Sequence, residues 1–91
     1  MTRLFVRHDV ADFEKWKSGY DDPSLVKLRS DLGVRDDGVY QAADRGTDVT
    51  VWHDFDSVKA AQSFASDPRL GTAMSDLGVT GEPEIWITVE A

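Results

Sequence analysis

Two histidine–aspartate pairs carry the side chains best suited to chemistry in this sequence. His8-Asp9 and His53-Asp54 occupy corresponding positions 45 residues apart. Imidazole and carboxylate groups transfer protons and bind metals, so the pairs could form an acid–base or a metal site. Each pair ends a predicted antiparallel strand, which would place the pairs at opposite sheet edges, about 15–20 Å apart. This separation argues against a shared metal. Each histidine could simply satisfy backbone groups near a helix start, but one of them, preferably His53, could transfer a proton.

A second group of candidates lies on strand positions that alternate with the aliphatic ones. Arg7 lies between Val6 and His8, which belong to the aliphatic face of the same strand. Its guanidinium could bind an anion or stabilise an oxyanion. It could equally form a salt bridge between protomers or stack on Trp52. The candidate catalytic residues are therefore His53, Arg7, His8 and Asp54. The candidate substrate-binding residues are the aromatic and polar side chains expected near the same surface: Phe5, Tyr40, Gln41, Thr50, Trp52 and Trp86.

Composition excludes several classes of function. The chain has 91 residues and no cysteine, which leaves no disulfide, thiolate nucleophile or cysteine-based metal site. Its formal charge of −7 disfavours binding to nucleic acids and to anionic membranes. No apolar run is long enough for a membrane span, and no signal peptide is recognisable. These features predict a single cytoplasmic domain, residues 1–91, without a metal or cofactor.

The chain contains an internal duplication. The pentapeptide Ser30-Asp31-Leu32-Gly33-Val34 returns as Ser75-Asp76-Leu77-Gly78-Val79, and the same offset gives 13 identities in 46 aligned pairs. Average residue usage would give roughly three. The two copies are about residues 1–46 and 47–91. In each copy the glycine of the pentapeptide is expected to end a helix in the left-handed conformation, so the motif itself predicts no chemistry.

Hydrophobic periodicity predicts the strands and helices that carry the candidate site residues. Alternation predicts strands at 4–8, 39–43, 49–55 and 85–89. Helical spacing predicts a helix from about residue 12 to 32, kinked at Asp22-Pro23, and a second from about 57 to 77, broken at Asp67-Pro68. Turns are expected at 36–38, 44–48 and 81–83. The order is βαββαβ.

This order predicts an α+β, ferredoxin-like fold with a four-stranded antiparallel sheet and both helical segments on one face. The first and third strands should be central neighbours. The aliphatic strand residues then face the helices, and Phe5, Trp52 and Trp86 lie on the opposite face together with Arg7 and Gln41. An exposed aromatic patch of this size usually marks a ligand or partner surface, so we expect this face to be covered.

The sequence resembles small proteins of the dimeric α+β barrel superfamily, specifically antibiotic-biosynthesis monooxygenase-like and polyketide-cyclase-like members. The similarity rests on the segments 6–16, 60–68 and 73–79 and covers nearly the whole chain. The resemblance implies that two sheets pair face to face in a homodimeric barrel, with a cavity on the side away from the helices. Haem degradation is disfavoured, because the relatives that degrade haem use an asparagine and a helix histidine that this chain lacks.

Two functions remain open from the sequence. The resemblance implies a cofactor-independent cyclase or oxygenase that acts on a hydrophobic, aromatic or polyketide-like small molecule. The alternative is a non-catalytic dimeric module that binds a small ligand or serves in assembly, its aromatic face filled by packing. Whether the chain is an enzyme is left undecided by the residues.

Overall fold

The computed structural model describes all 91 residues as one four-stranded sheet covered on one face by four short helices. The chain runs β1 (Thr2–Val10), α1 (Phe13–Tyr20), α2 (Pro23–Asp31), β2 (Asp36–Ala42), β3 (Arg45–Phe55), α3 (Val58–Ser66), α4 (Pro68–Asp76) and β4 (Val79–Val89).

The strands are all antiparallel, in the order β2-β3-β1-β4. The predicted ferredoxin-like fold is confirmed, and β1 and β3 are the central neighbours. Their register pairs Leu4 with His53 and His8 with Val49. Residues paired in this way project to the same face of a sheet. Both histidines therefore lie on the helix-covered face.

The helices start and stop at the residues that the sequence marks. The side chains of Asp12, Asp22, Ser57 and Asp67 each accept a hydrogen bond from a backbone N–H in the first turn of a helix. The expected kink at Asp22-Pro23 is wrong. Tyr20 ends α1, and Asp22 caps a separate α2, because proline at the first helical position sacrifices no intrahelical hydrogen bond there.

The repeated pentapeptides end α2 and α4 as predicted. Gly33 and Gly78 adopt positive φ angles of 98° and 80°. After α2, the N–H of Val34 donates to the carbonyl of Arg29 at 3.0 Å, the bond that characterises a Schellman stop. The recurrence of the motif is thus accounted for by helix termination.

Two predicted turns lie wholly within strands, and most of the third, 44–48, does so too, because β3 begins at Arg45 and leaves only Ala43 and Asp44 as the turn. Residues 36–38 extend β2, because Asp36 and Gly38 pair with Asp54 and Trp52 of β3. Only glycine fits at position 38, because the indole of Trp52 lies so close to the backbone that a Cβ would clash with its nitrogen. Residues 81–83 lie within β4, at an irregularity where its register against β1 shifts between Arg7 and Asp9.

The core lies between the sheet and the helices in two clusters. One is built around Leu4, Phe55 and Phe64, and the other around Trp16 and Val49. The buried helix residues come from α1 and α3, whereas α2 and α4 contain none. No helix is long and apolar enough to cross a membrane.

Candidate functional site

An apolar cavity of about 60 Å³ lies between the sheet and the helices. Its floor is the inner face of β1 and β3, and α2 and α4 contribute most of its roof. Twelve of its fifteen lining residues are hydrophobic. The three that are not are His8, Arg29 and His53. The cavity thus lies on the helix side of the sheet, whereas the resemblance implied a chamber on the opposite face.

His53 belongs to a chain of polar contacts that runs from this cavity to the surface. The Tyr20 hydroxyl lies 2.5 Å from Oδ2 of Asp37 and 3.2 Å from Nε2 of His53. A carboxylate only accepts, so the Tyr20 hydroxyl donates to Asp37 and its oxygen accepts from His53 Nε2–H. The proton of neutral His53 is therefore on Nε2. Its Nδ1 carries a free lone pair.

That lone pair has no partner within the protein. Nδ1 of His53 is buried and makes no hydrogen bond, and the residue is only 4% exposed. Burial lowers the pKa of His53 to about 4, assisted by the positive charge of Arg29. Burial and the hydrogen bond to Asp37 also raise the pKa of Tyr20 above its ordinary value. At neutral pH His53 is therefore an uncharged imidazole, and its ring is one of the side chains that line the cavity.

His8 lines the same cavity in a different environment. Its ring meets that of Trp16 edge-on, with centroids 5.6 Å apart, and Nδ1 is again buried without a hydrogen-bond partner. Burial lowers its pKa as well. The suggestion that each histidine satisfies backbone groups near a helix start is wrong for both Nδ1 atoms. The histidines lie on adjacent central strands, and the register separates them by four residues along the strands, about 13 Å.

The sheet face away from the helices, here called the open face, carries two bidentate ion pairs. Arg3 binds Asp54 with contacts of 2.7 and 3.0 Å, and Arg7 binds Asp48 with contacts of 3.0 and 2.7 Å. These hydrogen bonds lower the pKa of both carboxyl groups and raise that of Arg7. The cation–π contact with Trp52 that was expected of Arg7 is made by Arg3 instead. A bridge between protomers stays a prediction.

The aromatic residues of the open face lie between these ion pairs. The Arg3 guanidinium stacks 3.8 Å above Trp52, and Phe5 stacks on Trp86 with centroids 5.3 Å apart. Trp86 is 41% exposed and Tyr40 is 62% exposed.

The remaining predicted residues do not all join this face. Tyr40 pairs with Thr50, so both lie on the open face. Gln41 pairs with Val49, an inner-face residue, and its side chain donates to the carbonyl of Gly46 near the start of β3. Its expected place on the aromatic face is wrong, because Tyr40 occupies that face and the next residue of a strand points to the opposite one. The substrate-binding roles assigned to Phe5, Tyr40, Gln41, Thr50, Trp52 and Trp86 stay predictions.

The four predicted catalytic residues lie on opposite faces of the sheet, two on each. His8 and His53 share the inner cavity, whereas Arg7 and Asp54 lie on the other face of the sheet. No group of three or more His, Cys, Asp or Glu side chains converges in a way that could hold a metal.

Sequence reasoning missed three residues of the cavity site: Tyr20, Arg29 and Asp37. A usable signal was present in the duplication. Tyr20 and Arg29 align with Ala65 and Met74, so the two copies differ in chemistry where their scaffolds agree.

Comparison with known proteins gives the fold but no close relative. No protein-family model and no curated protein matches the sequence. A candidate antibiotic biosynthesis monooxygenase from Bordetella bronchiseptica is similar in structure, with a TM-score of 0.77 and 9% identity over 99% of this chain and 96% of that one. The expected resemblance is confirmed at the level of the fold.

Two further solved structures share this fold and have stated activities. One is the monooxygenase ActVA-Orf6 of Streptomyces coelicolor in complex with nanaomycin D, with a TM-score of 0.73 and 18% identity over 99% of this chain and 87% of that one. The other is the cofactor-independent oxygenase SnoaB of Streptomyces nogalater, with a TM-score of 0.70 and 10% identity over 98% and 91%.

Proposed function

We propose that this protein is a cofactor-independent oxygenase that acts on a hydrophobic aromatic molecule in the cavity between sheet and helices. The observation that carries the proposal is the buried Nδ1 of His53, which makes no hydrogen bond within the protein and belongs to a residue that lines a largely apolar cavity. A buried polar atom without a hydrogen bond is costly to a folded protein, so its retention suits a group that a bound molecule satisfies. The stated activities of the two Streptomyces structures support the same choice.

The proposed reaction requires a general base and a cavity that excludes water. Nδ1 of His53 removes a proton from an acidic carbon of the substrate, which leaves a delocalised carbanion. An electron-rich carbanion can itself reduce dioxygen, and a C–O bond forms to give a hydroperoxide. Loss of water from the hydroperoxide leaves a ketone, so that a CH₂ group and O₂ yield C=O and H₂O. His53 returns the first proton to the peroxide oxygen, which gives the hydroperoxide. It then removes the second C–H proton as the O–O bond breaks, and that proton joins the departing hydroxide as water.

The cavity must enlarge to admit an aromatic substrate, because 60 Å³ holds only a few water molecules. The helices that roof it are suited to that movement. Neither α2 nor α4 contains a buried residue, whereas α1 and α3 are anchored by Trp16, Tyr20, Ala61 and Phe64. Segments with few buried contacts open at low free-energy cost.

The test is oxygen consumption with anthrone, an aromatic ketone with an acidic methylene group. Wild-type protein freed of metal with a chelator is expected to consume one O₂ per anthrone converted to the quinone. Ala73→Trp, which fills the cavity from α4, should abolish the activity. Thr72→Trp adds the same side chain to an exposed position on the same helix and should leave it unchanged.

The outcomes separate the possible functions. Activity that persists in Ala73→Trp with an intact circular dichroism spectrum would contradict the proposed site. Conversion of an open-chain polyketone to a ring without oxygen uptake would identify a cyclase, in which the carbanion attacks a carbonyl carbon of the same molecule and the alkoxide takes the proton from His53.

A non-catalytic ligand-binding module is the second candidate, and the small resting volume of the cavity favours it. Such a protein would bind anthrone without accelerating its oxidation. Binding measured by quenching of tryptophan fluorescence, together with an unchanged rate of oxygen uptake, would select this alternative.

We also propose that the protein is a homodimer that pairs its open faces. The stacked pair of Phe5 and Trp86, with Trp86 41% exposed, is apolar surface that a second copy would remove from water. Native mass spectrometry should give twice the chain mass. Trp86→Ser should shift the mass to the monomer, whereas Val26→Ser, a change at another exposed apolar residue on α2, should not. A wild-type monomer at micromolar concentration would contradict the proposal.

A further inference from the structure

Arg29 is an exception among the arginines of this chain. Five of the six form an ion pair with an aspartate: Arg3, Arg7, Arg35, Arg45 and Arg69. Arg29 forms none, although the chain carries 17 acidic residues and a formal charge of −7. It is also the only residue with a permanent charge among those that line the cavity.

The position of Arg29 is fixed by neutral contacts. Its guanidinium stacks 3.7 Å from the centre of the Tyr20 ring, and Nη2 donates to the backbone carbonyl of Tyr20 at 2.7 Å. These contacts leave most of its five N–H donors unused. Asp21 and Asp37 line the surface groove on the outer side of Arg29, but neither comes within ion-pair distance of it.

Arg29 and His53 line the same cavity, and the charge of Arg29 acts on the His53 imidazole. Arg29 is the second cause, after burial, of the lowered pKa of His53. The carboxylates of Asp37 and Asp54 act on His53 in the opposite direction, but each has a smaller effect than Arg29. Beside Arg29 a negative charge is therefore favoured over a second positive one. An anion entering an apolar cavity also needs a partner there, because desolvation without one is expensive.

We propose that the cavity takes its ligand as an anion, with the ionised oxygen of a carboxylate, phenolate or enolate bound to Arg29 and the aromatic body packed against the apolar lining. This inference deepens the proposed function and rests on it. Arginine suits the role, because its planar fork binds a carboxylate with two parallel hydrogen bonds. The neighbouring His53 then faces the carbon framework of the ligand.

The test compares two probes of nearly equal shape and different charge, 2-naphthoate and 2-naphthamide. Binding is measured by isothermal titration calorimetry on the full chain. Wild-type protein is expected to bind naphthoate more tightly than naphthamide. Arg29→Gln should weaken naphthoate binding about 10- to 100-fold and change naphthamide binding little, since a charge-assisted hydrogen bond is lost only with the anion.

Two control variants separate binding from structure. Arg29→Lys keeps the charge and should retain part of the preference for naphthoate. Arg35→Gln removes an arginine that pairs with Asp56 outside the cavity, and it should change neither affinity.

The outcomes distinguish this inference from the proposed function. Equal affinity of the wild type for the two probes would overturn the anion inference and leave the aromatic cavity standing. Equal weakening of both probes by Arg29→Gln would overturn it too, because it would assign Arg29 only the role of holding α2 against α1. Failure of the wild type to bind either probe would overturn both proposals.

Discussion

The two copies of the duplicated unit build nearly the same scaffold and two different environments for one residue. β1, α1, α2 and β2 correspond to β3, α3, α4 and β4, and the helix caps and positive-φ glycines recur in both. His8 and His53 are equivalent positions on the central strands. His53 is hydrogen-bonded to Tyr20, which is in turn hydrogen-bonded to Asp37. His8 instead packs edge-on against the ring of Trp16.

The difference arises on the helices of the first copy. Tyr20 and Arg29, which surround His53, align with Ala65 and Met74 of the second copy. Both copies therefore have the same backbone geometry, but only one copy carries side chains that contact its histidine through a hydrogen bond or act on it through a charge. The comparison indicates that the scaffold supplies two candidate bases and the helices select one.

The largest difference between the two copies is expected when each histidine is replaced by glutamine in turn. His53→Gln should lower the rate of anthrone-dependent oxygen uptake about 10²- to 10⁴-fold, the usual contribution of a general base. His8→Gln should lower it less than tenfold, because no hydrogen-bonded partner orients His8. Equal losses, with both variants folded, would contradict the assignment of the base to His53.

Acid should reveal the same asymmetry in stability. His53 has a pKa of about 4 in the folded protein and about 6.5 when unfolded. Between these values the unfolded chain binds more protons, so the free energy of unfolding falls as pH is lowered through this range. His53 should contribute about 3 kcal/mol of this loss between pH 6.5 and 4.

Urea denaturation at intervals of half a pH unit measures this effect. His53→Gln should flatten the dependence between pH 6.5 and 4 more than His8→Gln does. A wild-type curve that stays flat over this range would show that His53 protonates as easily in the folded protein as in the unfolded chain.

Removal of one hydroxyl group tests how His53 is oriented. Tyr20→Phe keeps the ring and removes the group that joins Asp37 to His53, so Nε2–H is no longer the fixed tautomer. We expect oxygen uptake to fall about tenfold and the ¹⁵N shifts of the His53 ring to change towards a mixture of tautomers. Tyr40→Phe, at the only other tyrosine, should change neither. Unchanged ring shifts in Tyr20→Phe would exclude an orienting role.

The smallest effects are expected where the copies are alike. Gly33→Ala and Gly78→Ala each place a side chain at positive φ, with nothing closer than 3.8 Å to the new Cβ. Each should therefore cost about 1 kcal/mol of unfolding free energy from backbone strain alone. Thermal unfolding measures both. A large difference between the two variants would mean that the scaffolds are less equivalent than their geometry indicates.

The fold was predictable because local patterns and the duplication agree. Alternation in 4–8 and 49–55 fixed the inner face, and the capping aspartates fixed the helix starts. The errors came from long-range pairing. Asp36 and Gly38 have the composition of a turn but become part of a strand, because β3 offers backbone partners and the indole of Trp52 needs the space beside Gly38.

The site was predictable only in part. The sequence identified His8 and His53 as candidates, but it left open which face of the sheet they occupy. It could not identify the cavity, because that depends on how far α2 and α4 stand from the sheet. Tyr20 read as a core residue of an amphipathic helix, and only the three-dimensional contact with Asp37, 17 residues away, makes it part of a polar chain.

The strand order has a consequence for how such a chain can assemble. β1 is hydrogen-bonded to β3 and β4, and β2 is hydrogen-bonded to β3, so neither copy contains a pair of bonded strands of its own. A half-length chain would complete this sheet only by interleaving with another half. The short link through Ala43 and Asp44 makes that encounter intramolecular, and folding then no longer depends on protein concentration.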